Sequence, residues 1–105
     1  MHSWEIVCIE IDEDSEFNDC KAVSELGYHA PVFKTKSSDV VAAQIHQGHR
    51  SFHIELDGVR HPVTVGRHPD VNFYARTLDE DDPSDPLLTL DSIAKYRMDN
   101  KLGDI

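Results

Sequence analysis

The sequence predicts an α+β fold in which a mainly antiparallel sheet of about four strands is packed by two helices, in the order β-α-α-β-β-β-α. Strands are indicated by an apolar run near the N-terminus and by alternating residues on both sides of an Asp-Gly pair. An apolar stripe that follows two serines and ends at Gly48 indicates a helix. The 105 residues, 39% of them hydrophobic, suffice for one core. We therefore expect a single domain over residues 1–98 and a frayed tail at residues 99–105.

The N-terminal part of the chain begins with a strand. Residues 4–11 are apolar on both faces, which is typical of a central strand, and an acidic loop follows them. Asn18 is placed to cap a short helix that ends at Gly27. Residues 28–35 are expected to be irregular or briefly extended, because Pro31 disfavours a central strand.

The second helix and the hairpin after it have the clearest local signals. Serines at positions 37 and 38 can cap a helix whose apolar stripe continues to Gly48. Residues 52–56 and 59–65 then alternate in polarity around Asp57-Gly58, a two-residue hairpin turn. The register that this turn implies pairs Leu56 with Val59, Glu55 with Arg60, and Ile54 with His61.

The C-terminal part is predicted to contain one more strand and one more helix. Residues 72–78 alternate like a strand, and the acidic segment 79–84 ends it. Asp85 is then a helix-capping residue, followed by Pro86 at a position suited to the first helical residue. We expect the last helix to begin at Leu87 and to include Leu90 and Ile93.

Several short features give the chain a resemblance to a known family. They are Cys8-Ile9 in the first strand, Leu26-Gly27, the strand residues Tyr74, Arg76 and Thr77, and Leu87-Leu88-x-Leu90. Over residues 6–90 the chain resembles a bacterial family of small domains of unknown function, family 3892. In that family a Gly-containing turn and Asp-Asn-Leu-Leu follow the Arg-Thr strand, whereas here residues 80–84 replace the turn and Asp85-Pro86 replaces Asp-Asn. The resemblance implies an order of strands and helices, and it implies no activity.

Charge is distributed unevenly along the chain. Twenty acids against 10 bases give a formal net charge of -10. Residues 5–19 hold seven acids and no base, and residues 79–91 hold six acids and no base, whereas residues 20–78 hold five acids and seven bases. Because a chain this acidic repels nucleic-acid phosphates and anionic membranes, we expect neither as a direct partner.

The two acidic segments form the predicted partner-binding site. Each follows the end of a predicted strand, so both can lie at one rim of the sheet. Rigidly spaced carboxylates can imitate a phosphate backbone, and small acidic phage inhibitors of bacterial defence nucleases are similar in size and charge. The predicted function is therefore a non-enzymatic protein that binds a basic protein surface, as a nucleic-acid mimic and anti-defence inhibitor. Its predicted contact residues are Asp12, Glu13, Asp14, Glu16, Asp79, Glu80, Asp81, Asp82 and Asp85.

Two alternatives stay open. The first is an accessory domain that binds a metal or a small anion. His46, His49 and His53 are spaced three and four apart like metal ligands on a helix, although Gly48 interrupts that helix. Arg76 could hold an anion, although an arginine on a strand more often pairs with a carboxylate. The second alternative is that the negative charge serves solubility alone.

The sequence carries no catalytic pattern. It contains no nucleophile elbow, phosphate-binding loop or dinucleotide-binding glycine pattern, so we expect neither an enzyme nor a cofactor. The acids that begin at Asp12 alternate like the start of a calcium loop. However, Phe17 and Val23 occupy the positions that an EF-hand requires for its glycine and its bidentate glutamate, and an EF-hand is therefore excluded.

The cysteines and the N-terminus indicate the compartment. Cys8 lies in an apolar run and Cys20 in the first predicted helix, so both are expected to be free, buried thiols. The first residues lack the basic and apolar regions of a secretion signal. No apolar stretch is long enough to span a bilayer. The sequence therefore predicts a cytoplasmic protein.

Overall fold

The computed structural model describes residues 2–101 and confirms the α+β class. Its helices are α1 (Ser38–His46) and α2 (Ile93–Asp99), together with two 3-10 helices at Cys20–Ala22 and Pro86–Thr89. Its strands are β1 (Ser3–Ile11), β2 (Val23–His29), β3 (Phe33–Ser37), β4 (Ser51–Leu56), β5 (Val59–Pro62), β6 (Thr64–His68), β7 (Asn72–Arg76) and β8 (Asp91–Ser92).

The main sheet has six strands and is mixed, so the predicted strand number and order are wrong. Five strands follow the order β3-β2-β1-β4-β5, and β8 also pairs with β1. The β1–β4 and β1–β8 pairs are parallel, whereas β1–β2, β2–β3 and β4–β5 are antiparallel. Strands β6 and β7 form a separate antiparallel hairpin. Strand β1 pairs with three other strands, β2, β4 and β8. Its apolar residues, including Ile6, Cys8 and Ile9, are buried, as is typical of a central strand.

The first predicted helix is wrong. Only Cys20–Ala22 turn helically, as a 3-10 helix, and the chain then enters β2, which pairs with β1 from Val23 to Tyr28. Pairing along the open edge of β1 satisfies more backbone groups than one short helix would. Gly27 does not end a helix. It lies within β2, where a side chain would collide with Cys8 and Phe33.

The segment 28–35, expected to be irregular or briefly extended, contributes its first two residues to β2 and residues 33–35 to the edge strand β3. Pro31 precedes this strand, and the strand is paired on one side only, by β2. A proline before an edge strand interrupts no ladder of hydrogen bonds, so the sheet tolerates it.

The second helix and the hairpin follow the sequence prediction. Helix α1 has Ser37 as its N-cap residue, and Gly48 just beyond its end adopts φ +75°, a conformation that favours glycine. The β4–β5 register pairs Leu56 with Val59, Glu55 with Arg60, and Ile54 with His61, as the turn predicts. The predicted strand 59–65 is divided at Val63, and its second part, β6, pairs with β7 instead.

The last predicted helix is also divided. Asp85 caps the 3-10 helix Pro86–Thr89, β8 then pairs with Cys8 and Ile9, and Ser92 caps α2. The helix restarts there because the Ser92 hydroxyl accepts a hydrogen bond from the Lys95 amide. Helix α2 extends to Asp99, and residues 102–105 of the predicted tail lie outside the described residues.

The hydrophobic core joins the sheet to the second hairpin. Its buried members come from β1, β2, β4, α1 and β7, with Cys20 and Leu87 from the two 3-10 helices and Val63 from the link between β5 and β6. Within residues 2–101, no helix is long and apolar enough to cross a membrane. The loops at residues 12–19 and 77–85 lie outside these strands and helices and carry all the predicted contact residues.

Candidate functional site

Lys21 joins the two acidic loops. Its Nζ lies 2.8 Å from Oδ2 of Asp19 in the first loop and 2.9 Å from Oδ2 of Asp81 in the second. The lysine side chain is only 8% exposed, and its ammonium lies over the Phe17 ring. The loops at residues 12–19 and 77–85 therefore meet in space, although about 60 residues separate them along the chain.

The local backbone places Lys21 between the loops. Asp19 caps the first 3-10 helix by accepting a hydrogen bond from the Lys21 amide at 3.0 Å. The Ala22 carbonyl accepts one from the Asp12 amide at 2.8 Å, which closes the loop at its base. The same short helix that replaces the predicted one thus fixes both the first acidic loop and its link to the second.

Asp81 is the anchor of the second loop. Its carboxylate accepts hydrogen bonds from the Tyr74 hydroxyl, from Lys21, and from Nη1 of Arg76 at 2.8 Å. Partial burial acts to raise the pKa of Asp81, but these hydrogen bonds outweigh it and lower the pKa to about 2. The Tyr74 ring can lie against β6 because the residue opposite is Gly66, where any side chain would collide with the ring.

Asp85 is buried and serves the fold. It is 1% exposed, and its carboxylate accepts hydrogen bonds from the Thr77, Leu78 and Leu87 amides and from the Thr77 hydroxyl. Burial acts to raise its pKa, but the hydrogen bonds outweigh burial and lower it. Asp85 therefore has no surface to offer a partner, which removes it from the predicted contact set.

Most of the other predicted contact residues are exposed. Asp82 is half-buried and accepts hydrogen bonds from the Ser84 amide and hydroxyl, which lower its pKa. In the first loop, Oδ1 of Asp12 accepts a hydrogen bond from the Asp14 amide. We use the name acidic rim for the exposed acids of the two loops other than Asp81, which Lys21 and Arg76 bind. They are Asp12, Glu13, Asp14, Glu16, Asp79 and Glu80.

Two basic side chains near the acidic rim are directed inward. Lys21 is 8% exposed, and Arg76 is 18% exposed because it binds Asp81 and the Asp79 carbonyl. Arg76 thus pairs with the Asp81 carboxylate, so its positive charge is not available to bind a separate anion. Because both cations are neutralised by Asp19 and Asp81, they add little positive potential outside the loops.

The three candidate metal-binding histidines do not form one site. His46 stacks on Phe73 at the end of α1, His49 is exposed in the turn that follows, and His53 is buried in β4. Within the described part of the chain, a different group brings its ligand atoms together, and it consists of Glu5, His53 and Glu55. The sequence signal for this group was the i, i+2 spacing of His53 and Glu55 on one strand face.

Both cysteines are free and buried, as predicted. Burial raises the pKa of Cys8 to about 11 and raises that of Cys20 further. Because the thiolate is the reactive form of cysteine, neither side chain is prepared to act as a nucleophile.

Comparisons of the chain with protein-family models, with curated proteins and with solved structures find no match. The resemblance of residues 6–90 to family 3892 stays a prediction. Only the geometry of the chain's own residues bears on its role.

Proposed function

We propose that this chain is a non-enzymatic interaction protein whose acidic rim binds a basic protein surface. We further propose that this surface is a nucleic-acid-binding groove, which the chain blocks. The observation that carries the proposal is the Lys21 bridge, which draws the two acidic loops together at Asp19 and Asp81.

The bridge supports this role because it concentrates charge. Without it, the two loops would be two small acidic patches, each typical of a solvated surface. With it, the two loops touch at Asp19 and Asp81, which supports the proposal that their exposed acids act together, and the nearby cations Lys21 and Arg76 are already paired. A localised negative field of this kind steers a basic partner and accelerates its association.

Internal hydrogen bonds also hold parts of the acidic loops in place. Asp81 has three donors, Asp82 is bound by Ser84, and Asp12 binds the Asp14 amide. Binding a partner therefore requires less ordering of the loops than binding by a flexible acidic tail. Carboxylates carried on such anchored loops are suited to occupy positions that phosphates take in a nucleic-acid-binding groove.

The pKa shifts favour a binding role over catalysis. General acid catalysis by a carboxyl group at neutral pH needs a raised pKa. Among the described acids with a clear shift, namely Asp81, Asp82 and Asp85, the pKa is lowered in each. These carboxylates stay charged and hold the second loop in place, and none of the three has the raised pKa of a general acid.

A matched pair of charge-reversal variants tests the proposal. The rim variant carries Glu13→Lys, Asp14→Lys, Asp79→Lys and Glu80→Lys. The control carries Glu25→Lys, Asp39→Lys, Asp70→Lys and Asp99→Lys at exposed positions elsewhere. Each changes the formal net charge from -10 to -2, because four reversals add eight units. Tagged wild-type and variant chains are used to capture proteins from a host lysate at low and moderate salt, with and without added duplex DNA.

The expected result is a set of basic proteins that the wild type and the control retain, that duplex DNA displaces, and that the rim variant releases. Loss of retention in both variants alike would show that net charge alone is responsible, as expected if acidity serves solubility. Equal retention by the rim variant, or retention that DNA leaves unchanged, would contradict the proposal.

A further inference from the structure

A second group of ionisable side chains lies on the main sheet and involves none of the rim residues. Glu5 of β1 and His53 of β4 are register partners in the parallel β1–β4 pair. Glu55 is two residues beyond His53, so its side chain projects from the same face of the sheet. Ligand atoms of the three side chains all lie within 4.8 Å of one another.

His53 is the organised member of the group. It is only 5% exposed, and its Nδ1 lies 2.7 Å from the Ser3 hydroxyl. That hydrogen bond orients the ring. Metal-binding histidines commonly make such a hydrogen bond through the ring nitrogen that does not bind the metal. Its Nε2 lies 3.9 Å from Oε1 of Glu55, beyond hydrogen-bonding distance. A nearly buried imidazole nitrogen therefore faces two carboxylates without a direct hydrogen bond to Glu55.

We propose that Glu5, His53 and Glu55 bind a divalent transition-metal ion, and that zinc is the ion that suits them best. One imidazole and two carboxylates, completed by water, form an ordinary zinc ligand set. Two ligands of a tetrahedral zinc ion stand about 3.4 Å apart. The carboxylates need to approach His53 only slightly, and the exposure of Glu5 and Glu55 leaves them free to move.

Arg60 is the group that a metal ion would displace. Its Nη2 lies 3.4 Å from Oε1 of Glu55, and its side chain is 60% exposed. An exposed ion pair of this kind contributes about 0–1 kcal/mol, so a metal–carboxylate bond replaces it readily. Arg60 thus lowers the affinity of the site in two ways, by occupying Glu55 and by repelling the cation.

Zinc titration of the full-length, metal-stripped chain tests the site by calorimetry, with competition against a chromophoric chelator. The variants Glu5→Gln and Glu55→Gln each remove one ligand from an exposed position, so the fold is retained. His49→Gln and Glu25→Gln are matched controls, since each removes an exposed histidine or glutamate elsewhere. Arg60→Gln removes the competing cation.

We expect one zinc ion per wild-type chain, with affinity reduced about tenfold or more in Glu5→Gln and in Glu55→Gln. Arg60→Gln should bind zinc several-fold more tightly, while both controls and the rim variant match the wild type. In two-dimensional NMR spectra of the histidine rings, zinc should shift the Nε2 signal of His53. Absence of binding at millimolar zinc would overturn the proposal. Unchanged affinity in the two glutamine variants, or a loss in His49→Gln, would overturn it as well.

Discussion

The two acidic loops look alike in sequence and differ in structure. In the first loop, the acids of residues 12–16 are exposed, and Oδ1 of Asp12 accepts a hydrogen bond from the Asp14 amide, whereas Asp19 at the end of the loop is buried and bound to Lys21. In loop 79–85, Asp81 is held by three donors and Asp85 is buried under four hydrogen bonds. The first loop therefore displays most of its charge and commits only Asp19 to internal contacts, whereas the second loop uses Asp81 and Asp85 to hold the fold together.

The difference follows from what each loop contacts. The second loop directly follows β7, where the Thr77 and Leu78 amides have left the ladder of hydrogen bonds and need acceptors. Asp85 supplies them and also caps the helix that follows. The first loop closes on its own backbone, through the Asp12 amide and the Ala22 carbonyl, so the carboxylates of residues 12–16 are left for solvent and only Asp19 is held inward, by Lys21. An acidic residue in such a loop thus gains a structural role where nearby backbone amides lack another hydrogen-bond acceptor.

The largest expected effect is on Asp85. Asp85→Ala leaves three amides and the Thr77 hydroxyl without their acceptor and removes a helix cap, so we expect a loss of about 3 kcal/mol in the free energy of unfolding. Urea denaturation followed by Trp4 fluorescence measures it. Asp14→Ala, in the open loop, is the matched control and should change stability by less than about 0.5 kcal/mol. Equal losses of unfolding free energy in Asp85→Ala and Asp14→Ala would contradict the structural difference between the two loops.

The next effect concerns Asp81 and acid stability. The ordinary pKa of this carboxyl is 3.8, and in the folded chain it is about 2. Because the folded pKa is the lower one, the contribution to stability is present above about pH 4 and is lost as the pH falls towards about 2. Asp81→Asn should remove it, at about 1 kcal/mol once solvent screening is included. Denaturation curves between pH 2 and pH 7 check this, and the two proteins should converge near pH 2. A constant difference over that range would contradict this origin.

The smallest effect on stability is expected at the acidic rim. The quadruple rim variant reverses exposed charges that make no contact with the core, so its free energy of unfolding should stay within about 1 kcal/mol of the wild type. A moderate gain in the free energy of unfolding is compatible with weaker repulsion among the remaining negative charges. The same denaturation experiment measures this value beside the Asp85 and Asp81 variants. A loss as large as that of Asp85→Ala would mean that the first loop is structural too.

Local patterns in the sequence predict local structure well. The predicted register of the β4–β5 hairpin is confirmed for all three residue pairs. Asp57-Gly58 sets the turn, and the alternation of polar and apolar residues sets which side chains face the core. Helix α1 is also right, since its serine start and its glycine end lie within a few residues of the apolar stripe. These features depend on neighbours in the chain, so the sequence contains most of the information that determines them.

Features that depend on distant partners were not predictable from the sequence. The spacing of Cys20, Val23 and Leu26 fits a helix, yet the open edge of β1 draws this segment into β2. The parallel pairing that brings Glu5 beside His53 joins residues 48 positions apart, and no turn fixes its register. The alternative site of three histidines therefore does not form, and His53 belongs to a different group, with Glu5 and Glu55.

By itself, the sequence determined the α+β class, one hairpin register, one helix and the separation of charge into two acidic segments. The tertiary structure decided which of those charges face solvent. Lys21 reaches Asp81 across 60 positions of the chain, and Asp85 is drawn under the end of β7. The physical reason is that a carboxylate's exposure, pKa and binding capacity depend on the donors around it, and folding brings those donors from elsewhere in the chain.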